Sequence, residues 1–381
     1  MKIERVETFL VPPRWLFCRV ETDEGIVGWG EPVVEGRAEV VRAAVEVLAG
    51  YLVGEDPLRI EHHWQVLTKG GFYRGGPVLS SAVAGLDQAL WDIAGQAYGA
   101  PVHALLGGPV RDRVRVYSWV GGDEPGEVAA EVAAQVEAGF TAVKMNASGR
   151  LSPLPTSAEI DDVVRRLAAA REVLGDERDV AVDFHGRAGA AAVRRILPEL
   201  AALRPLFAEE PLLPEQGHAL HDVVTCSPIP IATGERLYGR AEFLEPLRAG
   251  VAVVQPDLSH AGGISEVRRI AALAETYGAL LAPHCPLGPI ALAASAQVAF
   301  ATPNFLIQEQ SVGIHYHEGA DLLDYVVDPE PFRFVDGHLR RMDAPGLGIT
   351  VDERAVRRAD RTGHAWRNPV WHHDDGSFAE W

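Results

Sequence analysis

The sequence predicts an α/β fold: a (β/α)8-type barrel with an α+β capping domain built from the N-terminal segment and the C-terminal tail. Three observations predict it. From about residue 113, short apolar or β-branched runs alternate eight times with Ala/Leu/Arg-rich stretches of helical composition. Ionisable residues recur at the ends of those runs at a near-constant interval. The first 110 residues instead read as three strands followed by two helices.

Taken in order, residues 2–12, 16–22 and 26–31 alternate as strands, with Asp23-Glu24-Gly25 as a hairpin turn. Helical patterns cover 37–52 and 78–98. In the second, Val83, Leu86, Leu90 and Ile93 recur at spacings of three and four before a Tyr-Gly-Ala-Pro stop. Between the two helices, GGFYRGGP (70–77) is too glycine-rich for regular structure and reads as a mobile flap. The eight barrel strands are expected at VRVYSWV, TAVKMN, VAVDFHG, LFAEEP, PIATGE, VAVVQPD, LLAPHC and FLIQEQ. The expected domains are 1–112 for the cap, 113–323 for the barrel and 324–381 for a segment that returns to the cap.

Composition narrows the function. With 53 acidic against 35 basic residues the formal charge is −18, a surface that repels phosphate backbones, so no nucleic-acid partner is expected. None of the three lysines, Lys2, Lys69 and Lys144, follows a glycine, which excludes a P-loop. Cys18, Cys226 and Cys285 lie far apart without a CxxC pair, and MKIERVETFL lacks the apolar core of a signal peptide. No apolar run reaches the length of a membrane span. A cytoplasmic protein with no membrane partner is expected.

The chemistry lies at the strand ends: Lys144, Asp183 with His185, Glu209, Glu235, Asp257, His284 and Glu309. From Asp183 onward they are separated by 26, 26, 22, 27 and 25 residues, close to the roughly 30 of one βα unit. One ionisable group per strand therefore meets at the barrel mouth. Asp183 and His185 are two apart and share a strand face, as do Lys144 and Asn146, while Glu209 and Glu210 cannot both face the axis. Asp183, Glu209 and Glu235 together make an all-oxygen site suited to Mg2+. The competing reading pairs those acids with Arg187, Arg204 or Arg236. Asp257 fits two roles equally, as the hydrogen-bond partner that orients His284 or as a cap on the SHAGGISE turn. Gly262-Gly263 reads as a tight βα turn.

These residues identify a likeness. DFHGR (183–187), EEP (209–211), GER (234–236), QPDLSHAGGI (255–264), APHCPLGPIALAA (282–294), QEQSVGIHY (308–316) and the terminal WRNPVW (366–371) resemble the enolase superfamily, in its mandelate racemase subgroup. PPRWLF (12–17), GGFYRGGP and SWVGGD (118–123) extend the resemblance over the whole chain. It implies one Mg2+ on Asp183, Glu209 and Glu235, His284 with Asp257 as general base, His185 as general acid, and Glu309 as partner to the enolate. Many members carry Lys-x-Lys on the second barrel strand. Here it is Lys144-Met145-Asn146, so a base role for the second lysine is missing and Lys144 is left to touch the substrate carboxylate or a metal ligand. The implied reaction is dehydration of a small-molecule aldonic acid, D-galactonate ahead of D-gluconate or D-mannonate. A racemase or epimerase is the enzymatic alternative and a sugar-acid-binding regulator the non-enzymatic one. Substrate contacts are expected from Lys144, Asn146, Arg14, Trp15, Phe72, Tyr73 and Arg74. The resemblance also implies a homo-oligomer.

Overall fold

The computed structural model describes every residue except 315, 316 and 318, so the His315-Tyr316 end of the QEQSVGIHY motif lies outside the described residues. The chain opens with strands β1 (Ile3–Val11), β2 (Trp15–Thr22) and β3 (Val27–Gly30) in an antiparallel meander. The β2–β3 turn closes through Thr22 N donating to Ile26 O at 3.0 Å. Helices α1 (Ala38–Ala49), α2 (Ile60–Lys69), α3 (Pro77–Tyr98) and α4 (Val102–Leu105) follow. Helix α3 starts on Pro77, where a missing N–H costs nothing, and stops at Gly99 in the left-handed conformation. Its predicted stripe of Val83, Leu86, Leu90 and Ile93 is buried. Helix α2 is not foreseen by the pattern, because its buried face carries His63 beside Ile60 and Trp64. The His63 ring is satisfied through its Nε2 contact with Asp56 O at 2.7 Å, which is why a histidine is tolerated there.

The barrel runs β4 (Arg113–Val120), α5 (Pro125–Glu137), β5 (Ala142–Asn146), α6 (Ser157–Leu174), β6 (Asp179–Asp183), α7 (Ala190–Leu200), β7 (Ala208–Glu209) and α8 (Leu220–Cys226). It continues with β8 (Ile231–Thr233), α9 (Leu244–Ala249), β9 (Val253–Val254), α10 (Gly263–Thr276), β10 (Leu280–Leu281), α11 (Pro289–Ala301) and β11 (Gln308–Glu309). Strands β4 to β10 pair in parallel in sequence order, β11 pairs with β4, and the Leu281–Phe305 bridge closes the ring. Its interior holds Tyr117, Ala142, Ala181, Phe207, Ala232, Val253, Ala282 and Ile307, one from each strand segment. That packed layer is the floor on which the polar strand ends stand.

An eighth barrel helix is absent among the described residues. After β11 the chain turns through a Pro/Gly-rich stretch without helical periodicity, and the tail divides. Hairpin β12 (Phe334–Val335) and β13 (His338–Arg340) adds to the N-terminal half of β4, whereas α12 (Glu353–Asp360) lies on β1. The short pair β14 (Trp371–His372) and β15 (Phe378–Ala379) ends the chain. No described helix is long and apolar enough to cross a membrane.

Buried polar side chains of the cap fasten the barrel loops that carry the site. Gln88 donates to Leu258 O at 2.9 Å, Trp64 Nε1 to Gly262 O at 3.0 Å, and Ser265 N to Asp87 Oδ2 at 2.9 Å. Gly263 has φ +82°, and a Cβ there would sit 2.5 Å from Asp87 Oδ2, so the double glycine is a matter of both backbone and space. Glu31, following β3, caps α11 from across the domain boundary: its two oxygens accept from Gly288 N at 2.7 Å and Ala291 N at 2.9 Å. Burial pushes the Glu31 carboxyl up to about 8, against the two N–H donors. The folded protein thus holds a proton that the unfolded chain releases near pH 4.5. This contribution is full below that pH and is lost as the pH rises towards 8. Glu31→Gln is expected to flatten that part of the pH–stability curve in urea unfolding, while costing about 1–3 kcal/mol by leaving one capping N–H unmatched. An unaltered slope would show that Glu31 is ionised in the folded state.

Candidate active site

The C-terminal ends of β6, β7 and β8 bring Asp183, Glu209 and Glu235 together, with one oxygen of each inside 4.8 Å of the others. Asp183 ends β6, and the chain then kinks at His185 (φ +49°); a like kink follows β7 at Glu210 (φ +42°), both strained values for residues with side chains. The kink turns His185 back, so that its N donates to Asp183 Oδ1 at 2.8 Å and its Nε2 lies 3.1 Å from Asp183 Oδ2. Of the adjacent glutamates, Glu209 faces the cluster. Glu210 points away, accepting from Gly234 N at 3.1 Å, from Arg236 Nε at 2.9 Å and Nη2 at 2.7 Å, and from the Thr233 hydroxyl.

The three arginines have their closest partners outside the trio. Arg236 is taken by Glu210, and its Nε stands 4.0 Å from Glu235 Oε1. Arg204 pairs with Asp176, and Arg187 donates to Ser148 O with its guanidinium 4.8 Å from the Trp371 ring. The cation inside the cluster is Lys144, from β5. Its Nζ lies 2.7 Å from Glu209 Oε1, 3.0 Å from Glu309 Oε1 and 3.5 Å from Asp183 Oδ2, and it is 1% exposed. One ammonium against four carboxylates leaves an imbalance. Burial and then the charge of Asp183 hold Glu209 well above the usual carboxylate range, and burial with Asp183 pushes Glu235 up to about 7. Asp183 itself is held low, its burial outweighed by His185 and Lys144.

His284 stands at Glu235, the other end of the row from Asp183 and His185. Its Nδ1 lies 2.8 Å from Asp257 Oδ2, and its Nε2 lies 3.1 Å from Glu235 Oε2 and 3.9 Å from Glu309 Oε2. Burial pushes the imidazole down, but Glu235, Glu309 and Asp257 outweigh it and raise it. His185 goes the other way, pushed down to about 4 chiefly by burial. Asp257 serves both readings at once: Oδ1 accepts from Ser259 N at 2.6 Å, closing the turn, while Oδ2 meets His284. Glu309 Oε2 accepts from Cys285 N at 2.8 Å, which pins the residue beside His284.

The expected substrate contacts divide. Asn146 ends β5 in register with Asp183, its buried Oδ1 without a hydrogen bond, and Arg14 is buried with Nη2 donating to Pro286 O at 3.3 Å in the β10–α11 loop. Trp15 is not at the site. As the first residue of β2 it is fully buried in the cap, stacked on Phe17 and edge-on to Tyr325. Phe72 and Tyr73 are 91% and 87% exposed, and Arg74 Nε turns back to Gly71 O, so the glycine-rich loop reaches none of the cluster. Two residues at the site escaped the sequence pattern. Glu35, on the β3–α1 loop, and His260, in the SHAGG turn, meet above His284. His260 falls three residues past Asp257, outside the strand-end rhythm, and Glu35 belongs to the other domain.

Two family models match the chain: mandelate racemase / muconate lactonizing enzyme, N-terminal domain, over residues 11–107, and enolase C-terminal domain-like over residues 127–355. Over 382 aligned residues it is 53% identical to the D-galactonate dehydratase of Xanthomonas campestris pv. campestris (strain B100) and 51% identical to that of Pectobacterium atrosepticum, each alignment covering 100% of both chains. Among solved structures, an enolase from Agrobacterium radiobacter with bound sodium and L-malate matches with TM-score 0.92 and 34% identity, covering 100% of both chains. A mandelate racemase/muconate lactonizing enzyme from Jannaschia sp. CCS1 matches with TM-score 0.87 and 34% identity, over 94% of this chain and 97% of that one. The meander-and-helix cap over a barrel with acids at successive strand ends is thus the architecture of the enolase superfamily, and the chain belongs to its mandelate racemase / muconate lactonizing enzyme family.

Proposed function

We propose that the chain dehydrates an aldonic acid, D-galactonate first, to the 2-dehydro-3-deoxy acid and water. The observation that carries this reading is the placement of two histidines at the two ends of one row of carboxylates, His185 at Asp183 and His284 at Glu235. Asp183, Glu209 and Glu235 would hold Mg2+. Glu209 Oε2 is buried without a hydrogen-bond partner, while Asp183 Oδ2 and Glu235 Oε2 each face a histidine Nε2 at 3.1 Å, and hard oxygen donors in this number suit a small divalent cation. When bound, the cation supplies positive charge beside the substrate carboxylate as the α-carbon loses its proton, and offsets the carboxylate field at His284.

The chain's own groups do the rest. Asp257 holds the His284 proton on Nδ1, which leaves the Nε2 lone pair free to take the hydrogen from C2. The C2–H electron pair first spreads onto the substrate carboxylate as an enolate, and then forms the C2=C3 bond as the C3–O bond breaks. His185 gives its proton to the departing hydroxide, since hydroxide is a poor leaving group unless protonated. The anionic acid lying beside His185 favours the protonated ring against the burial that otherwise lowers it. The enol then takes a proton at C3, gives up its O–H proton to solvent and becomes the ketone. Lys144 stays charged beneath Glu209 and keeps the trio from repelling itself apart.

The test is a panel of aldonic acids with purified protein and Mg2+, scored for 2-keto-3-deoxy acid by semicarbazide absorbance. Keto acid from D-galactonate is expected. Exchange of the C2 hydrogen without keto acid would make the protein a racemase or epimerase, and neither signal from any acid would leave a binding protein.

A further inference from the structure

Above His284, the seam between cap and barrel holds a polar pair that the reaction just derived does not use. His260 Nε2 lies 3.3 Å from Glu35 Oε2, and the His260 Nδ1 lies 3.8 Å from Asp257 Oδ2. The His260 and His284 ring centroids are 6.0 Å apart, so Glu235, His284, His260 and Glu35 follow one another from the acidic trio towards the cap. The two side chains are 9% and 17% exposed, and the Glu35 carboxylate is the partner of His260 Nε2. Their polar atoms stand at the seam next to His284, where a substrate hydroxyl could exchange into the pair.

The pair is built rather than incidental. Gly36 has φ +74°, and the Asn368 Oδ1 of the tail lies 2.6 Å from where its Cβ would be, so the WRNPVW segment is packed directly against the loop that carries Glu35. The Arg14 guanidinium lies 5.1 Å from the Trp366 ring of the same segment, and its charge, after that of His260, helps hold the Glu35 carboxyl well below its usual range against burial.

We propose that Glu35 and His260 are specificity-determining residues that grip the hydroxylated tail of the substrate, Glu35 accepting from hydroxyls beyond C3 and His260 Nε2–H donating to one of them. The proposal rests on the aldonic-acid reading. With the carboxylate of such an acid at the trio and C2 at His284, the remaining carbons have to leave the barrel axis towards the cap, past His260. Hydroxyls are donors and acceptors at once, and a carboxylate with an imidazole offers both complements. A site built to pair a hydroxyl discriminates strongly against an isomer that cannot reach it, because the site's own polar atoms are then left unpaired.

D-galactonate and D-gluconate differ only at C4, so their ratio of kcat/KM reads this contact. Glu35→Gln, nearly isosteric, and His260→Asn, on the other side of the seam, are expected to lower that ratio by about tenfold or more. Most of the change should appear as a raised KM for D-galactonate with kcat largely kept. If both epimers slow equally and the ratio stands, the pair merely latches the two domains and the proposal is overturned. A wild-type protein that converts both epimers without preference overturns it too. If the wild type converts neither, the failure belongs to the aldonic-acid reading and shows before any variant is made.

Discussion

His284→Asn is expected to abolish both dehydration and exchange of the C2 hydrogen with solvent, whereas His185→Asn abolishes dehydration and leaves the exchange in place. The asymmetry follows from what each ring touches. His284 has its Nδ1 occupied by Asp257 and its Nε2 turned to the trio, the arrangement of a base. His185 has its main-chain N and its Nε2 on Asp183, and no carboxylate orients its Nδ1, which makes no hydrogen bond. Without His284 the α-proton has no acceptor. Without His185 the proton still leaves and returns, but hydroxide cannot depart. General acid–base groups contribute about 10²–10⁴-fold each, so both losses in kcat should lie in that range. Deuterium uptake at C2 followed by NMR, beside keto-acid formation, separates the two variants. Equal loss of exchange in both would mean that proton removal and C3–O cleavage are a single event in which neither histidine acts alone.

Lys144→Met is expected to give the largest stability loss of any single substitution at the site in metal-free protein, about 3–5 kcal/mol, the cost of removing one partner from a buried charge network. Methionine keeps the length of the side chain but leaves Glu209 and Glu309, at 2.7 and 3.0 Å from the former Nζ, facing each other without a cation. Added Mg2+ should then stabilise the variant more than it stabilises the wild type, since the ion supplies positive charge that the variant lacks. Urea unfolding with and without Mg2+ measures both numbers. Equal metal-induced shifts in the two proteins would show that Lys144 and the ion do not share the same carboxylates.

Much of this site could be found without coordinates, because a barrel converts sequence rhythm into space. Strand ends spaced by one βα unit must meet at one rim, so Asp183, Glu209, Glu235, Asp257, His284 and Glu309 declare themselves by interval. Strand patterns of alternating apolar residues placed β1 to β3, and an apolar stripe placed α3. Where local pattern and tertiary packing disagreed, packing won. Helix α2 hides behind a buried histidine, and the expected eighth helix gives way to a hairpin on β4. Trp15, expected as a substrate contact from PPRWLF, is core, since it opens β2, whose first six residues are all buried.

Interval and periodicity therefore determined the barrel, its acidic trio and the two histidines, all of which are set by neighbours along the chain or by a regular repeat. Folding put Glu209 in the trio and Glu210 on Arg236, a choice strand alternation left open and only the family likeness implied; it also put Lys144 within the cluster and left the flap residues Tyr73 and Arg74 clear of it. It also decided the seam. Glu31 reaches Gly288 across 257 residues of chain and Gln88 reaches Leu258 across 170, while Glu35 meets His260 by the same docking. Such contacts depend on how two separately formed surfaces fit together, and no residue-to-residue spacing encodes that fit.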